Sequence, residues 1–155
     1  MTPPIGFVLR AALLLGTGLL AGCDDPPPAA PAEKPKPLVT GPADAALEIG
    51  QIRYEWSPQD ERHRYIHDRS FRESAGVGYT VERGRVCVEI GKLCVDAVVR
   101  YRVEPGATLT QPNHHVGTKL PEDRITIEYW GTDDSGNAIT LQRVMTVRGT
   151  EARVE

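Results

Sequence analysis

The sequence has no surplus of basic charge. Lys and Arg number 18 against 21 Asp and Glu, a net charge of −3, so the basic footprint of a nucleic-acid-binding domain is missing and no nucleic-acid partner is expected. Long apolar runs are missing as well. The most apolar stretch, Ala11–Leu20, is about half of the roughly 20 residues that a bilayer core requires. Neither a G-x-S-x-G elbow nor a phosphate-binding P-loop occurs, and scattered Ser, His and acidic residues make no spaced catalytic motif. The expectation is therefore a non-enzymatic chain without a cofactor. Cysteine is scarce, at three residues, whereas proline is plentiful, at 13, and unevenly placed.

Residues 1–22 read as an export signal. Arg10 supplies a short positive region and Ala11–Leu20 the apolar region, which has the length of a signal peptide rather than of a membrane span. The run closes on Leu20-Ala21-Gly22-Cys23. These four residues resemble the lipobox of bacterial lipoproteins. The resemblance implies cleavage between Gly22 and Cys23, a diacylglyceryl thioether on the Cys23 sulfur and an acylated new amino terminus. Such an anchor holds far more firmly than one myristoyl chain, because each buried CH₂ adds about 0.8 kcal/mol. Asp24 and Asp25 follow directly. In enterobacteria-like lipoproteins, Asp at this place accompanies retention in the inner membrane, so the resemblance favours the inner over the outer membrane, with the chain facing the periplasm.

Residues 23–46 continue as a tether rich in Pro, Ala and charge, with Leu38 and Val39 as its sizeable apolar side chains. Such a composition cannot bury enough surface to offset its ordering entropy. Proline biases it toward extended polyproline II, at about 3.1 Å per residue, so it could hold a domain several tens of ångströms from the bilayer.

From Leu47 the pattern changes to short alternating segments bounded by turn residues. Ile49–Trp56, Val77–Glu82, Val86–Ile90, Leu93–Val103, Ile125–Trp130 and Ala138–Val147 read as strands. Their spacing predicts an all-β fold over 47–150, a sandwich or a small barrel, with 151–155 as a C-terminal tail. One short helix is expected near 57–69, with Ser57 as N-cap, Pro58 as first helical residue and Asp60 completing a capping arrangement.

With Cys23 lipidated, Cys87 and Cys94 remain, and an exported chain meets an oxidising compartment. The strand pattern tests whether they can meet. Val86, Val88 and Ile90 share one face of their strand, and Leu93, Val95, Ala97, Val99, Tyr101 and Val103 share one face of the next. Setting Val88 opposite Leu93 puts Cys87 opposite Cys94 and Val86 opposite Val95, with both sulfurs on the other face. Opposed residues in an antiparallel pair are close enough for a disulfide. The connecting loop is Glu89-Ile90-Gly91-Lys92, with Gly91 free to take positive φ.

Downstream, Ile125, Ile127 and Tyr129 alternate with polar residues, and Thr132-Asp133-Asp134-Ser135-Gly136-Asn137 reverses the chain. Asp133, Gly136 and Asn137 are turn residues: Asp and Asn bond nearby backbone, and Gly or Asn accepts left-handed φ. The stretch from Tyr129 through Thr146-Val147 resembles the last two strands of bacterial Ig-like and HYR-type repeats, which implies a small Ig-like β-sandwich and no catalytic residue. Asp133 and Asp134 also offer oxygen ligands for Ca²⁺, although the turn role accounts for them and no metal is expected.

His63 and His67 stand four apart, which on a helix gives the spacing of two zinc ligands. The Glu of the H-E-x-x-H motif is missing, and Arg62, Arg64 and Arg69 oppose a cation. His114 and His115 could join from a loop. The expectation is that these histidines are exposed and that Asp60–Arg72 is a solvated face, with Tyr65 and Phe71 offering a binding rim. Taken together, the residues point to a lipid-anchored envelope lipoprotein presenting a non-catalytic binding or scaffold domain to an envelope protein partner. The alternative is a periplasmic inhibitor or immunity lipoprotein that neutralises a toxin or hydrolase.

Overall fold

In a computed structural model, residues 41–155 are described; the expected signal peptide at 1–22, Cys23, Asp24, Asp25 and most of the expected tether lie outside them. The described chain is all-β, with eight strands: β1 (Ala45–Ser57), β2 (Arg62–Glu73), β3 (Tyr79–Val88), β4 (Leu93–Val103), β5 (Thr108–Thr118), β6 (Glu122–Asp133), β7 (Ala138–Arg148) and β8 (Glu151–Val154). They form two antiparallel sheets, β1-β2-β5 and β4-β3-β6-β7-β8. Packed face to face, they form a β-sandwich, one of the two architectures the strand spacing allows and the one the Ig-like resemblance implies. The core lies between the sheets and is built from Leu47, Tyr65 and Phe71 on one side and Tyr79, Val81, Ile125, Ile127 and Met145 on the other.

The expected register of the cysteine hairpin is the observed one. Val86 faces Val95, Cys87 faces Cys94 and Val88 faces Leu93. Cys87 and Cys94 are disulfide-bonded, with their Cα atoms 4.0 Å apart. The four-residue turn takes positive φ at Glu89, Ile90 and Gly91. Two of these are not glycine, and the Asp123 carboxylate holds them by accepting from the Glu89 and Ile90 amides at 2.7 and 2.8 Å.

Four expectations are corrected. The helix near 57–69 does not form. Ser57 ends β1, its hydroxyl meets Asp60 at 3.3 Å across the turn, and Arg62–Glu73 is strand β2. Tyr65, His67, Arg69, Phe71 and Glu73 are buried at every second position. That period is hidden in the sequence because three of the five are polar. The strands expected at Val77–Glu82 and Val86–Ile90 merge into one, β3 (Tyr79–Val88), which leaves Glu89 and Ile90 to the turn and shifts register between Val81 and Arg83 against both neighbours. The bulge carries inward alternation from Tyr79 and Val81 over to Gly84 and Val88. The tail at 151–155 instead forms edge strand β8, paired with β7 from Met145 to Arg148. The domain also starts earlier than 47. β1 begins at Ala45, and the Ala43 amide is bound by Asp133 at 3.0 Å.

Gly131 sits where β6 crosses the β3 bulge. A Cβ there would lie 1.9 Å from the Thr80 carbonyl oxygen, so backbone would have to move. Gly131→Ala is expected to destabilise the domain by about 3 kcal/mol, read as a lower denaturant midpoint at unchanged slope. The disulfide closes a short loop, with a sequence separation of 7. Its removal by the double substitution C87A/C94A is expected to cost roughly 2–3 kcal/mol, measured as the same midpoint shift.

Candidate functional site

Three strands cannot cover five, and the β4 side of the sandwich stays open. Val95 and Val98 on edge strand β4 are 64% and 82% exposed. Between β4 and β5 a cleft of about 480 Å³ enters the sandwich. Val86, Val95, Val99, Tyr101 and Val116 make its apolar walls, and Arg69, Tyr129 and His114 line its polar part.

Backbone irregularities position the polar part. Opposite His67–Arg69, both neighbours of β2 bulge: β1 between Gly50 and Arg53, with Gln51 at φ 51°, and β5 between Gln111 and His114, with Asn113 at φ 58°. Pro112 is tolerated there because β5 is an edge strand. The Asn113 amide donates to Asp68 at 3.0 Å and the Arg53 side chain donates to Asn113 at 2.7 Å. The paired bulges leave β2 regular and aim His67, Arg69 and His114 at one region, a common use of bulges beside functional sites.

Arg69 is only 5% exposed. Its Nε donates to His67 Nε2 at 3.0 Å, its Nη1 donates to the Tyr129 hydroxyl, and its Cζ lies 5.7 Å from the Tyr129 ring centroid. His67 is fully buried, with Nδ1 3.1 Å from the Tyr65 carbonyl. The neighbours therefore assign its tautomer: Nδ1 carries the proton and Nε2 accepts. A second proton on Nε2 would face the Arg69 N–H. Burial first, and then the Arg69 charge, hold the His67 pKa down to about 4. His114, opposite His67 in β5 with ring centroids 6.4 Å apart, is lowered for the same two reasons.

These placements correct three expectations from the sequence. His67 is buried rather than exposed. Arg69 is buried rather than part of a solvated face. Tyr65 and Phe71 belong to the core rather than to a rim. His63 does not join His67: its Nδ1 lies 3.1 Å from the Tyr54 hydroxyl, and its ring packs against Trp56. His115 is exposed on β5. Among the described residues no group of His, Cys, Asp and Glu has the geometry of a metal site.

The Asp133 turn is fully used by the fold. Its carboxylate accepts from the Ser135 and Asn137 amides at 2.9 and 2.7 Å, from Asn137 Nδ2 at 2.9 Å and from the Ala43 amide at 3.0 Å. These donors hold its pKa down to about 2. Gly136 takes φ 86°, and Asp134 is paired with Arg102. No oxygen of Asp133 is left for Ca²⁺ without breaking the turn.

No family model matches the sequence, and no curated protein matches it. Among solved structures, a protein assigned as ApaA from Bordetella pertussis has a similar fold at 11% identity, covering 73% of this chain and 93% of its own, with a TM-score of 0.53. An X-ray structure of a structural genomics target aligns at 13% identity over 72% of this chain and 84% of its own, with a TM-score of 0.48. The first likeness concerns the fold alone.

The sign of the His67 shift gives a stability prediction. Its folded pKa, about 4, lies below the unfolded value of about 6.5, so the unfolded chain binds the extra proton. Stability is full above pH 6.5 and declines as pH falls toward 4, by on the order of 3 kcal/mol. Asp133 and Glu73, whose folded pKa values are lowered, lose their contributions at more acidic pH. Urea unfolding at pH 7 and pH 4.5 is expected to show this loss, and His67→Gln, which cannot titrate, is expected to remove most of it.

Proposed function

We propose that this chain is a lipid-anchored protein of the bacterial cell envelope whose sandwich is a non-catalytic binding domain facing the periplasm. The anchor is Cys23, in the lipobox-like Leu20-Ala21-Gly22-Cys23. The partner is an envelope protein that docks along edge strand β4.

The observation that carries the reading is the polarity of the domain. The chain enters at the end where Ala43 meets Asp133, the Ser135 hydroxyl meets the Gly41 carbonyl at 3.1 Å, and Ala45 pairs with Glu73. At the opposite end lie the Cys87–Cys94 hairpin, the β1–β2 turn and the mouth of the cleft, with Asp60, Arg62 and Leu93. A tether attached at the first end leaves the second end free for a partner. Strand β4 is an edge, so its outward backbone groups are open to strand addition by an extended segment. Leu93, Val95 and Val98 supply exposed apolar side chains along it.

Two measurements test the reading. Mass spectrometry of the native protein is expected to find an amino terminus at Cys23 carrying diacylglycerol. Retention of residues 1–22, or an unmodified thiol, would sink the anchored form. A photo-crosslinking residue at Val98 in intact cells is expected to give a discrete adduct with an envelope protein that is lost in Cys23→Ala. The same residue at Glu128, on strand β6 and paired on both sides with Arg85 and Gln142, is expected to give none. Equal adducts at both positions, or an adduct unaffected by Cys23→Ala, would remove the support for an anchored docking domain.

A further inference from the structure

The buried charges among the described residues are unequal in their partners. Glu73 accepts from the Ala75, Gly76 and Gly106 amides, Asp123 from the Glu89, Ile90 and Arg124 amides, and Asp133 from four donors. Each buried anion is thus answered by N–H groups. Arg69 is the buried cation, and none of the ion pairs among these residues includes it. Its two acceptors, His67 Nε2 and the Tyr129 hydroxyl, are neutral groups. The Arg cations at the mouth behave differently: Arg62 pairs with Glu89 and Arg64 with Asp60.

We propose that the cleft between β4 and β5 binds a small amphipathic carboxylate, with its head on the Arg69 guanidinium and its apolar body along Val86, Val95, Val99 and Val116. This site lies in the sandwich and does not depend on the lipid anchor, but it shares Leu93 and Val95 with the proposed docking edge.

Nη2 of Arg69 forms no hydrogen bond among the described residues, and none of their buried side-chain nitrogens or oxygens is orphaned. Nη2 is therefore reached from the cleft, whose lining includes Arg69. An uncompensated buried cation is costly, and an anion brought to it restores charge-assisted hydrogen bonds. The neighbouring neutral histidines, His67 and His114, limit the charge to be balanced to one. A monoanionic carboxylate meets that requirement, whereas a dianionic phosphate would leave excess negative charge against apolar walls. The walls select for an apolar body, and about 480 Å³ falls in the range of small-ligand sites. Gly84 completes the floor: a Cβ there would lie 2.5 Å from the Tyr129 ring, so its absence lets the ring lie flat and present its hydroxyl to Arg69.

The test is calorimetric titration of octanoate into the full-length protein, lipidated or not, in the presence of phosphatidylcholine nanodiscs, with nanodiscs alone as blank. Saturable one-to-one binding is expected, with octan-1-ol about tenfold weaker or worse because it lacks the charge. Arg69→Met is expected to weaken octanoate by a similar factor. Because Arg69 is buried and its loss could unfold the domain, a second variant is Val95→Glu. This position is 64% exposed, so folding is retained while a negative charge enters the mouth, and octanoate binding is expected to fall about tenfold or more. The proposal is overturned if the wild-type protein gives no saturable heat above the blank. It is also overturned if octan-1-ol binds as tightly as octanoate, or if folded Val95→Glu binds octanoate like the wild type.

Discussion

The unequal width of the two sheets governs the rest of this structure. A three-stranded sheet laid on a five-stranded one buries the middle of the wider sheet and leaves its margins thinly covered. The middle is where Tyr65, Phe71, Ile125, Ile127 and Met145 are wholly buried. At one margin β8 adds a short strand beside β7. At the other, β4 projects beyond β5, and its inward residues Leu93, Val95 and Val99 line a cleft instead of closing a core. The same alternation that makes β4 a good core strand by sequence makes it, at an uncovered edge, an apolar wall open to solvent.

The ends of the sandwich are held by buried carboxylates that accept backbone N–H groups. Glu73 ties the β2–β3 loop to the turn at Gly106, Asp123 ties the disulfide hairpin to the start of β6, and Asp133 ties the entering chain to the β6–β7 turn. Each stabilises a turn whose backbone is left-handed at one or more residues: Gly76 and Gly106, Glu89 through Gly91, and Gly136. A carboxylate with two oxygens satisfies several donors at once, which suits tight turns whose amides converge. Tyrosines perform a related task between sheets. The Tyr65 hydroxyl donates to the Gly149 carbonyl at 2.7 Å, and the Tyr79 hydroxyl donates to the Arg72 carbonyl at 3.2 Å, so both rings are buried without orphaning their polar ends.

Legibility in the sequence followed local chemistry. The cysteine hairpin could be read to the residue because its apolar and sulfur-bearing faces separate cleanly at period two. The Asp133 turn was readable because Asp, Gly and Asn have distinct backbone roles. Strand β2 was not, since three of its buried positions carry His67, Arg69 and Glu73 and its start mimics a helix cap at Ser57-Pro58. Strand β5 was missed for related reasons: Pro112 interrupts it, and the bulge at Asn113 breaks alternation between Leu109 and His114. Both failures fall on strands whose polar residues, Arg69 and His114, line the cleft. Local rules are expected to fail where a fold holds polar groups for a purpose other than packing.

That coincidence bears on why Arg69 is there at all. An apolar side chain of similar volume at an inward β2 position would extend the core between Tyr65 and Phe71, and replacing buried charge by well-packed apolar residues is often neutral or stabilising. The structure instead surrounds the guanidinium with costly arrangements. His67 is held in its neutral form at physiological pH, Gly84 gives up a side chain so that the Tyr129 ring can lie against the strand, and bulges in β1 and β5 flank the segment. None of these supplies a negative charge. An ion pair buried for stability would place a carboxylate within reach, as every rim arginine of the cleft has one. A guanidinium that is oriented by neutral acceptors and open on one nitrogen to an apolar cleft is arranged for an anion that arrives from outside the fold.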